Sequence, residues 1–170
     1  MIIFKETQRF KQWWIWLIVL VANGSNLFFV YNQIISNTNS TSNNYIGLIV
    51  AGITSILLTS LFFIIKLDTV IKDDGIYVRF FPVHIKFKHL QWKNINKCYI
   101  RQYSPLKEYG GWGIRVGLFD KGKAFNISGN KGLQIEFKDN KKLLIGTNKP
   151  EDLEFTLTQL KSKGVNVINN

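Results

Sequence analysis

Histidine and cysteine, two residue types that commonly bind transition metals or take part in nucleophilic catalysis, are scarce in this sequence. There are two histidines, His84 and His89, and a single cysteine, Cys98. A zinc site needs a convergent set of ligands, and a cysteine nucleophile needs a histidine within hydrogen-bond reach. The spacing supplies neither arrangement, and Asp73 and Asp74 belong to a turn sequence rather than to a pair of catalytic carboxylates. We therefore expect no catalytic residue, no metal and no cofactor.

A glycine-rich segment around Trp112 is the most unusual local sequence. Residues 108–116 read EYGGWGIRV. Glycines at this density indicate a bend, a bulge or a close backbone approach. Two interpretations stay open for Trp112. It lies in the core beneath the bend, or it is an exposed anchor for a partner protein with Arg115 beside it.

Basic residues outnumber acidic residues two to one. The chain has 22 Lys and Arg against 11 Asp and Glu, a net charge of +11, and residues 66–170 hold 19 of the basic and 10 of the acidic ones. Such a surface attracts anionic lipid head groups, unless it is only an ordinary solvated surface. We expect no nucleic-acid partner, because no readout motif accompanies the charge. The candidate lipid-facing residues are Lys66, Lys72, Lys86, Lys88 and Lys93.

The sequence carries no Asp, Glu, Lys or Arg between Lys11 and Lys66. This stretch contains two apolar runs, at about 13–31 and 45–65, joined by the polar residues 32–44. At about 1.5 Å per residue, helices over these runs match a hydrocarbon core of about 30 Å. The pattern predicts a transmembrane helical hairpin over 13–65. A pair of buried core helices is the alternative.

The distribution of basic residues predicts the orientation of this hairpin. Lys5, Arg9 and Lys11 precede the first run, Lys66 follows the second, and residues 32–44 carry no charge. The positive-inside rule then places both termini in the cytoplasm and the connecting loop outside. We expect a multi-pass protein of the cell membrane with a basic cytoplasmic N-terminus over 1–12. A cleaved signal peptide is the alternative interpretation of the first run.

Polar and small residues interrupt both apolar runs. Asn23 and Asn26 lie near the middle of the first run, where amide groups need hydrogen-bond partners. In an antiparallel hairpin Asn23 should lie level with Thr54 and Ser55, and we expect an interhelical hydrogen bond there. The polar segment either holds the hairpin together or contacts a partner membrane protein or a second copy. A stripe of small residues suited to close helix packing comprises Gly47, Ala51, Ser55 and Thr59.

Residues 66–170 show the alternation of apolar and polar residues that is typical of strands. Seven or eight strands are expected between Leu67 and Thr147, one of them containing Ile85 and Phe87. An amphipathic helix follows from Pro150. Its apolar stripe consists of Leu153, Leu157 and Leu160.

This order of elements resembles the pleckstrin-homology-like superfold, in the small bacterial versions that follow membrane helices. The resemblance covers about residues 68–163 and is carried by three stretches, DDGIYVRFFP, QWKNINKCYIRQY and GLQIEFKDNKKLLIGTNKPEDLEFTLTQL. EYGGWGIRV followed by KAFNISGNKG looks like a motif of uncharacterised bacterial membrane proteins of this type. The resemblance implies a bent antiparallel sheet or barrel capped by a C-terminal helix. It also implies an interaction or assembly module, although no phosphate-binding pattern can be matched.

These observations together lead to an expectation about function. We expect an α+β membrane protein that acts as a non-enzymatic adaptor or scaffold. Its basic domain would meet a protein or anionic lipid at the inner leaflet. An accessory or regulatory subunit of a transporter or membrane enzyme is one alternative, and a membrane enzyme with an unrecognised site is another. The expected partners are the lipid bilayer and a membrane protein or a second copy of the chain.

Overall fold

The computed structural model describes residues 2–36, 41–117 and 120–162, with only the backbone described at 36 and at 41–45. The chain has an α+β architecture and divides into two compact units. One unit combines Met1–Arg9 with Ile65–Asn170, and the other is Phe10–Ile64. The predicted division into 1–12, 13–65 and 66–170 therefore differs from the structure at the N-terminus.

The helical unit consists of α1 (Trp13–Ser36) and α2 (Thr41–Ile64). Both helices are long and apolar enough to cross a membrane, with mean hydropathies of 1.6 and 2.3. Only 17% and 6% of their most apolar windows are buried, so the protein itself does not enclose them. The helices extend into the loop predicted at 32–44, because its uncharged polar residues continue each helix. Residues 37–40 lie outside the described part of the chain.

The second unit contains two β-sheets and two helices. The first sheet has the order β1-β2-β3-β4 and the second the order β5-β8-β9-β7-β6. The first sheet comprises β1 (Ile2–Arg9), β2 (Lys66–Lys72), β3 (Gly75–Phe81) and β4 (Lys88–Gln91). The second comprises β5 (Ile95–Gln102), β6 (Gly113–Val116), β7 (Lys123–Asn126), β8 (Lys131–Phe137) and β9 (Lys142–Gly146). The helices are α3 (Pro105–Tyr109) and α4 (Pro150–Ser162), and Trp92–Asn94 forms a 3₁₀ turn.

Strand β1 is the largest difference from the sequence-based interpretation. It pairs antiparallel with β2 from Ile2 to Arg9, and Arg9 lies directly opposite Lys66. The inward residues of β1 after Phe4 are Glu6 and Gln8, both buried. Because these inward positions are polar, the segment lacks the apolar alternation that identifies a strand in a sequence.

The sheets also differ in two ways from the expected bent antiparallel sheet or barrel. The described strands form two separate sheets, with no closed barrel. In addition, β7 and β9 pair in parallel. The reason is topological, since β9 returns antiparallel to β8 and inserts between β8 and β7. Because β7 and β8 run in opposite directions, a strand that is antiparallel to β8 runs parallel to β7.

The expected strand through Ile85 and Phe87 is replaced by a connection over residues 82–87. The backbone N–H of His84 donates to the Phe80 carbonyl at 2.8 Å, and the Phe80 N–H donates to His84 Nδ1 at 3.3 Å. Pro82 has no N–H to contribute to a ladder. The chain therefore makes a turn at the end of β3, and β4 begins only at Lys88.

The predicted C-terminal helix is present and covers the core. Leu153, Leu157 and Leu160 are all at most 1% exposed, as their spacing on one helical face requires. A second apolar cluster lies on the other face of the second sheet, beneath α3. It consists of Tyr103, Tyr109, Ala124 and Leu144. The second sheet is therefore covered on both faces.

The pairing of Arg9 with Lys66 leads to a first testable expectation. Replacing residues 10–65 with an Asn-Gly turn should give a folded, water-soluble domain, because two directly opposed residues can be joined by a two-residue hairpin loop. Cooperative unfolding by urea, followed through the reactivity of the buried Cys98 thiol, would measure this.

Residues 66–170 alone are the matched control. This fragment lacks β1 and exposes the edge of β2, so it should be less stable and prone to aggregate. Equal stability of the two proteins would show that β1 is dispensable and would contradict the expectation.

Candidate functional site: a basic and aromatic sheet face

One face of the first sheet carries alternate residues that point away from the core. We call this surface the basic face. Its five basic side chains outnumber its one acidic side chain, that of Asp68. The net positive charge of this face attracts anions. The basic members are Lys5, Arg9, Lys66, Lys72 and Arg79.

Aromatic rings lie between these cations. The Nζ of Lys72 is 4.6 Å from the centre of the Tyr77 ring, and the guanidinium of Arg79 is 4.5 Å from that of Phe87. The Tyr77 ring also stacks on His89 at 4.2 Å with an interplanar angle of 7°. Such contacts hold flexible cations in place. A shallow groove of about 240 Å³ runs beside them and is lined by Ile2, Lys5, Val70, Lys72, Tyr77 and Phe87.

Asp68 organises the centre of the basic face. Its Oδ2 accepts hydrogen bonds from Arg79 at 2.7 and 3.1 Å, and its Oδ1 accepts one from Thr7 Oγ1 at 2.8 Å. The Lys66 ammonium lies 3.8 Å away. Burial alone raises the pKa of the Asp68 carboxyl, but the bonds from Arg79 and Thr7 and the nearby positive charges outweigh it, so the pKa is lowered. Asp68 therefore stays ionised and fixes Arg79 on the face.

A second acidic group lies where β2 turns into β3. Tyr77 donates its hydroxyl proton to Asp74 Oδ2 at 2.5 Å, and His89 Nε2 lies 3.5 Å from the same oxygen. The hydrogen bond from Tyr77 lowers the pKa of the Asp74 carboxyl, and it raises the pKa of the tyrosine. This arrangement orients the Tyr77 ring under Lys72 and concentrates negative charge at this end of the sheet.

The structure separates the five lysines expected to face lipid. Lys66 and Lys72 belong to the basic face. Lys88 begins β4 on the opposite side, with its Nζ 5.4 Å from the Phe125 ring. Lys86 and Lys93 are exposed in the 82–87 connection and in the 3₁₀ turn.

Sequence analysis missed three cations of the basic face. Lys5 and Arg9 were missed because β1 was not recognised, and Arg79 because its alternation with apolar neighbours was taken only as evidence for a strand. Only the strand register shows that they lie on this face, where they are opposite Val70, Lys66 and Asp68, respectively.

Trp112 and Arg115, the candidate partner surface, belong to the second sheet instead. Trp112 is half-buried, and its indole N–H donates to the Gly129 carbonyl at 3.3 Å. The exposed Arg115 donates from Nε to the Trp112 carbonyl at 2.9 Å. The preceding Gly110 ends α3 with a φ of 67°, a conformation that favours glycine. A partner-binding role for Trp112 and Arg115 stays a prediction.

The residues considered for metal or nucleophilic chemistry make separate contacts. His84 packs edge-on against Phe125, His89 stacks on Tyr77, and Cys98 is completely buried in β5. Burial raises the pKa of the Cys98 thiol to about 12. Among the described residues, no group of three or more His, Cys, Asp or Glu is arranged to hold a metal ion.

The helical unit has its own polar cluster. Asn26 Nδ2 lies 3.0 Å from Thr54 Oγ1, and 3.3 Å from both Ser55 Oγ and the Ala51 carbonyl. Asn26 therefore occupies the level that the sequence suggested for Asn23. The two helices are therefore offset by about one turn from the level that alignment of their midpoints gives.

Asn23 makes its contact one turn further along α2. Its Nδ2 donates to the Val19 carbonyl at 2.7 Å and lies 3.3 Å from Thr59 Oγ1. At the other end of the stripe, a Cβ at Gly47 would lie 3.6 Å from the Gln33 side chain. The small-residue stripe of α2 thus faces α1.

Comparison of the chain with protein-family models, with curated proteins and with solved structures finds no match. The resemblance to the pleckstrin-homology-like superfold therefore stays a prediction from the sequence.

The lowered pKa of Asp68 makes a pH-dependent contribution to stability. Asp68→Asn should reduce the free energy of unfolding by about 1–3 kcal/mol near neutral pH, since it removes charged hydrogen bonds to Arg79. This contribution is complete above the unfolded pKa of about 3.9 and is lost as the pH falls through the folded pKa. The difference between the two proteins should therefore shrink in acid.

Unfolding of the detergent-solubilised full chain can be followed by pulse labelling of the buried Cys98 with a dipyridyl disulfide, which reacts at acid pH. Asp139→Asn is the matched control, because Asp139 pairs with Lys141 in an exposed turn and its loss should leave stability unchanged. A gap between wild type and Asp68→Asn that persists in acid would contradict the assignment.

Proposed function

We propose that this chain is a membrane-anchored, non-enzymatic adaptor. In this proposal α1 and α2 span the membrane, both termini are cytoplasmic, and the basic face is presented near the inner leaflet to acidic protein segments or anionic head groups. The observation that carries the proposal is the pairing of β1 with β2. These strands precede and follow the two apolar helices in the chain.

The strand pairing supports a topology with both ends on one side. Residues 2–9 form a strand with 66–72, so the two segments share one aqueous compartment. A chain that leaves this compartment through α1 must then return through α2. The same pairing argues against cleavage of a signal peptide after the first apolar run, because cleavage would remove β1 from the sheet.

The connections between strands and helices support a location near the membrane surface. Only residues 10–12 separate β1 from α1, and only Ile65 separates α2 from β2. An extended chain covers at most about 3.5 Å per residue. The end of the sheet that carries Arg9 and Lys66 would therefore be connected to the membrane by two chain segments, close to the lipid head groups.

Charge supports the cytoplasmic side. Lys5, Arg9, Lys11 and Lys66 flank the helices, and this bias orients transmembrane hairpins with their basic flanks inside. Each basic group close to an anionic leaflet contributes about 1 kcal/mol to binding at the surface. The inner leaflet thus gives the basic face a high local concentration of anionic ligands.

A pleckstrin-homology-like module is the finer form of this proposal. The run of eight strands from Lys66 to Gly146, followed by the amphipathic α4, supports it. The second, mixed sheet and the added β1 are departures from the expected pattern. The assignment to that superfold is therefore supported by the order of elements and by the sequence of residues 68–163.

An accessory subunit of a larger membrane complex is the second candidate function. It is favoured by a mostly apolar groove on the helical unit, whose lining includes the polar residues Asn23, Ser55, Thr59 and Ser60 beside Ile56 and Phe63. Hydroxyl and amide groups at an open surface in lipid gain from hydrogen-bonding partners on another helix. This candidate predicts stoichiometric co-purification with one membrane protein in mild detergent.

The topology is tested with reporters on the full chain. A fluorescent protein that folds only in the cytoplasm should be active when fused at either terminus, whereas a secreted phosphatase reporter should be active only when inserted at 37–40. An active phosphatase at Asn170, or recovery of the full chain in the soluble fraction after lysis, would refute the membrane-anchored adaptor.

The basic face is tested by the binding of a labelled polyglutamate peptide to the full chain in nanodiscs of neutral lipid. Lys72→Gln should weaken binding by about 1 kcal/mol, or roughly fivefold, and salt should weaken it further. Lys161→Gln, which removes an exposed lysine of α4, is the matched control. Equal losses in the two variants would show that net charge alone, and not this face, binds acidic ligands.

A further inference from the structure

The connection between β3 and β4 exposes apolar side chains that the core does not use. Val83 is 67% exposed, Ile85 is 76% exposed and Phe87 is 40% exposed. Single exposed apolar residues are ordinary on a protein surface, but a group within five residues marks a contact site. We call residues 82–88 the apolar loop.

The apolar loop is held in a defined shape. Between Val83 and Ile85, His84 turns inward and packs against Phe125, with 5.2 Å between the centres of the two rings. The ring Nδ1 of His84 accepts a hydrogen bond from the backbone N–H of Phe80 at 3.3 Å. The backbone N–H of His84 donates to the Phe80 carbonyl. These bonds fix the base of the loop. They leave the residues on either side of His84 pointing outward.

The strand register gives the place of this loop in the sheet. Phe81, the last residue of β3, lies opposite Lys66, and Lys66 lies opposite Arg9. The loop therefore leaves the sheet at the end where the chain connects to α1 and α2. The acidic turn of Asp73 and Asp74 lies at the other end, beyond the pair of Lys72 and Gly75.

The charges of the loop favour an anionic surface. Lys86 lies between Ile85 and Phe87, Lys88 follows Phe87, and residues 82–88 contain no Asp or Glu. Exposed aliphatic side chains beside lysines match the boundary between acyl chains and anionic head groups. An acidic protein surface would satisfy the lysines but would not require aliphatic groups at the most exposed positions.

We infer that the apolar loop inserts Val83 and Ile85 into the head-group layer of the membrane that holds α1 and α2, with Lys86 and Lys88 beside anionic head groups. This inference rests on the proposed function, since it needs the helices to span that membrane. The loop then acts as a third attachment in addition to the two covalent connections. It fixes how the sheet is oriented above the bilayer.

The test uses an environment-sensitive fluorophore on single introduced cysteines in the full chain. The native Cys98 is completely buried and stays unlabelled, which a labelled wild-type sample checks. The positions are Ile85→Cys in the loop, Ile56→Cys in α2 and Ile2→Cys opposite Lys72 at the far end of the sheet; all three native side chains are exposed. The proteins are reconstituted in phosphatidylcholine vesicles containing phosphatidylglycerol, with nitroxide quenchers at the head group or deep in the acyl chains.

The expected result is strong quenching at position 85 by the head-group nitroxide, at position 56 by the deep nitroxide, and at position 2 by neither. Omitting phosphatidylglycerol or introducing Lys86→Gln should reduce quenching at position 85 and leave position 56 unchanged.

The outcomes separate the two proposals. Quenching at position 56 without quenching at position 85 would overturn the loop insertion and leave the membrane-spanning helices intact. Equal quenching at positions 85 and 2 would also overturn it, because the domain would then contact lipid without a preferred end. An unquenched position 56 would overturn the proposed function, and the insertion of the loop with it.

Discussion

The pairing of β1 with β2 is the constraint on which the rest of the structure depends. Two segments separated by 56 residues, from Phe10 to Ile65, are adjacent antiparallel strands with Arg9 opposite Lys66. The helical unit is therefore an insertion between two neighbouring strands of one sheet. The same pairing covers the edge of β2 and completes the basic face with Lys5 and Arg9.

Buried polar contacts hold β1 against the second sheet as well. Glu6 is 5% exposed and accepts hydrogen bonds from Thr147 Oγ1 at 2.7 Å and from the Asn148 N–H at 2.8 Å. The Gln8 amide donates to the Gly146 carbonyl at 2.6 Å. Such bonds are costly to leave unmade in a buried site. Strand β1 thus joins two sheets that share no ladder, and its inward polar residues serve that purpose.

Much of the architecture follows from local sequence patterns. The charge-free stretch, the strands after Lys66 and the α4 stripe were predictable, because each depends on periodicity or composition that a single segment displays by itself. Strand β1 was not predictable in this way, since its inward Glu6 and Gln8 are explained only by partners near residue 147. The parallel pairing of β7 with β9 was hidden for a similar reason, as it follows from the order in which strands join the sheet.

The candidate site was predictable only in part. Lys66 and Lys72 could be named from charge and position, but their association with Lys5 and Arg79 needs the cross-strand register. The loop around His84 was misassigned because Ile85 and Phe87 alternate with lysines as a half-buried strand would. The hydrogen bonds between Phe80 and His84 prevent that strand, and the alternation of residue types in the sequence does not reveal these bonds. Asn26 rather than Asn23 contacts Thr54 because packing between the two helices sets their offset, which the length of each apolar run does not reveal.

The insertion of the helices between β1 and β2 has a consequence for biogenesis. During synthesis β1 emerges first, yet its partner strand follows only after both apolar helices have been made. If these helices enter the bilayer, the sheet is completed only when the hairpin has returned to the starting compartment. If only one helix were inserted, β1 and β2 would lie on opposite sides of the membrane and could not pair. The edge of β2 would then stay exposed to proteases and chaperones. If the helices do enter the bilayer, insertion of both helices and completion of the sheet would be one event, and a failure of either would leave the sheet incomplete.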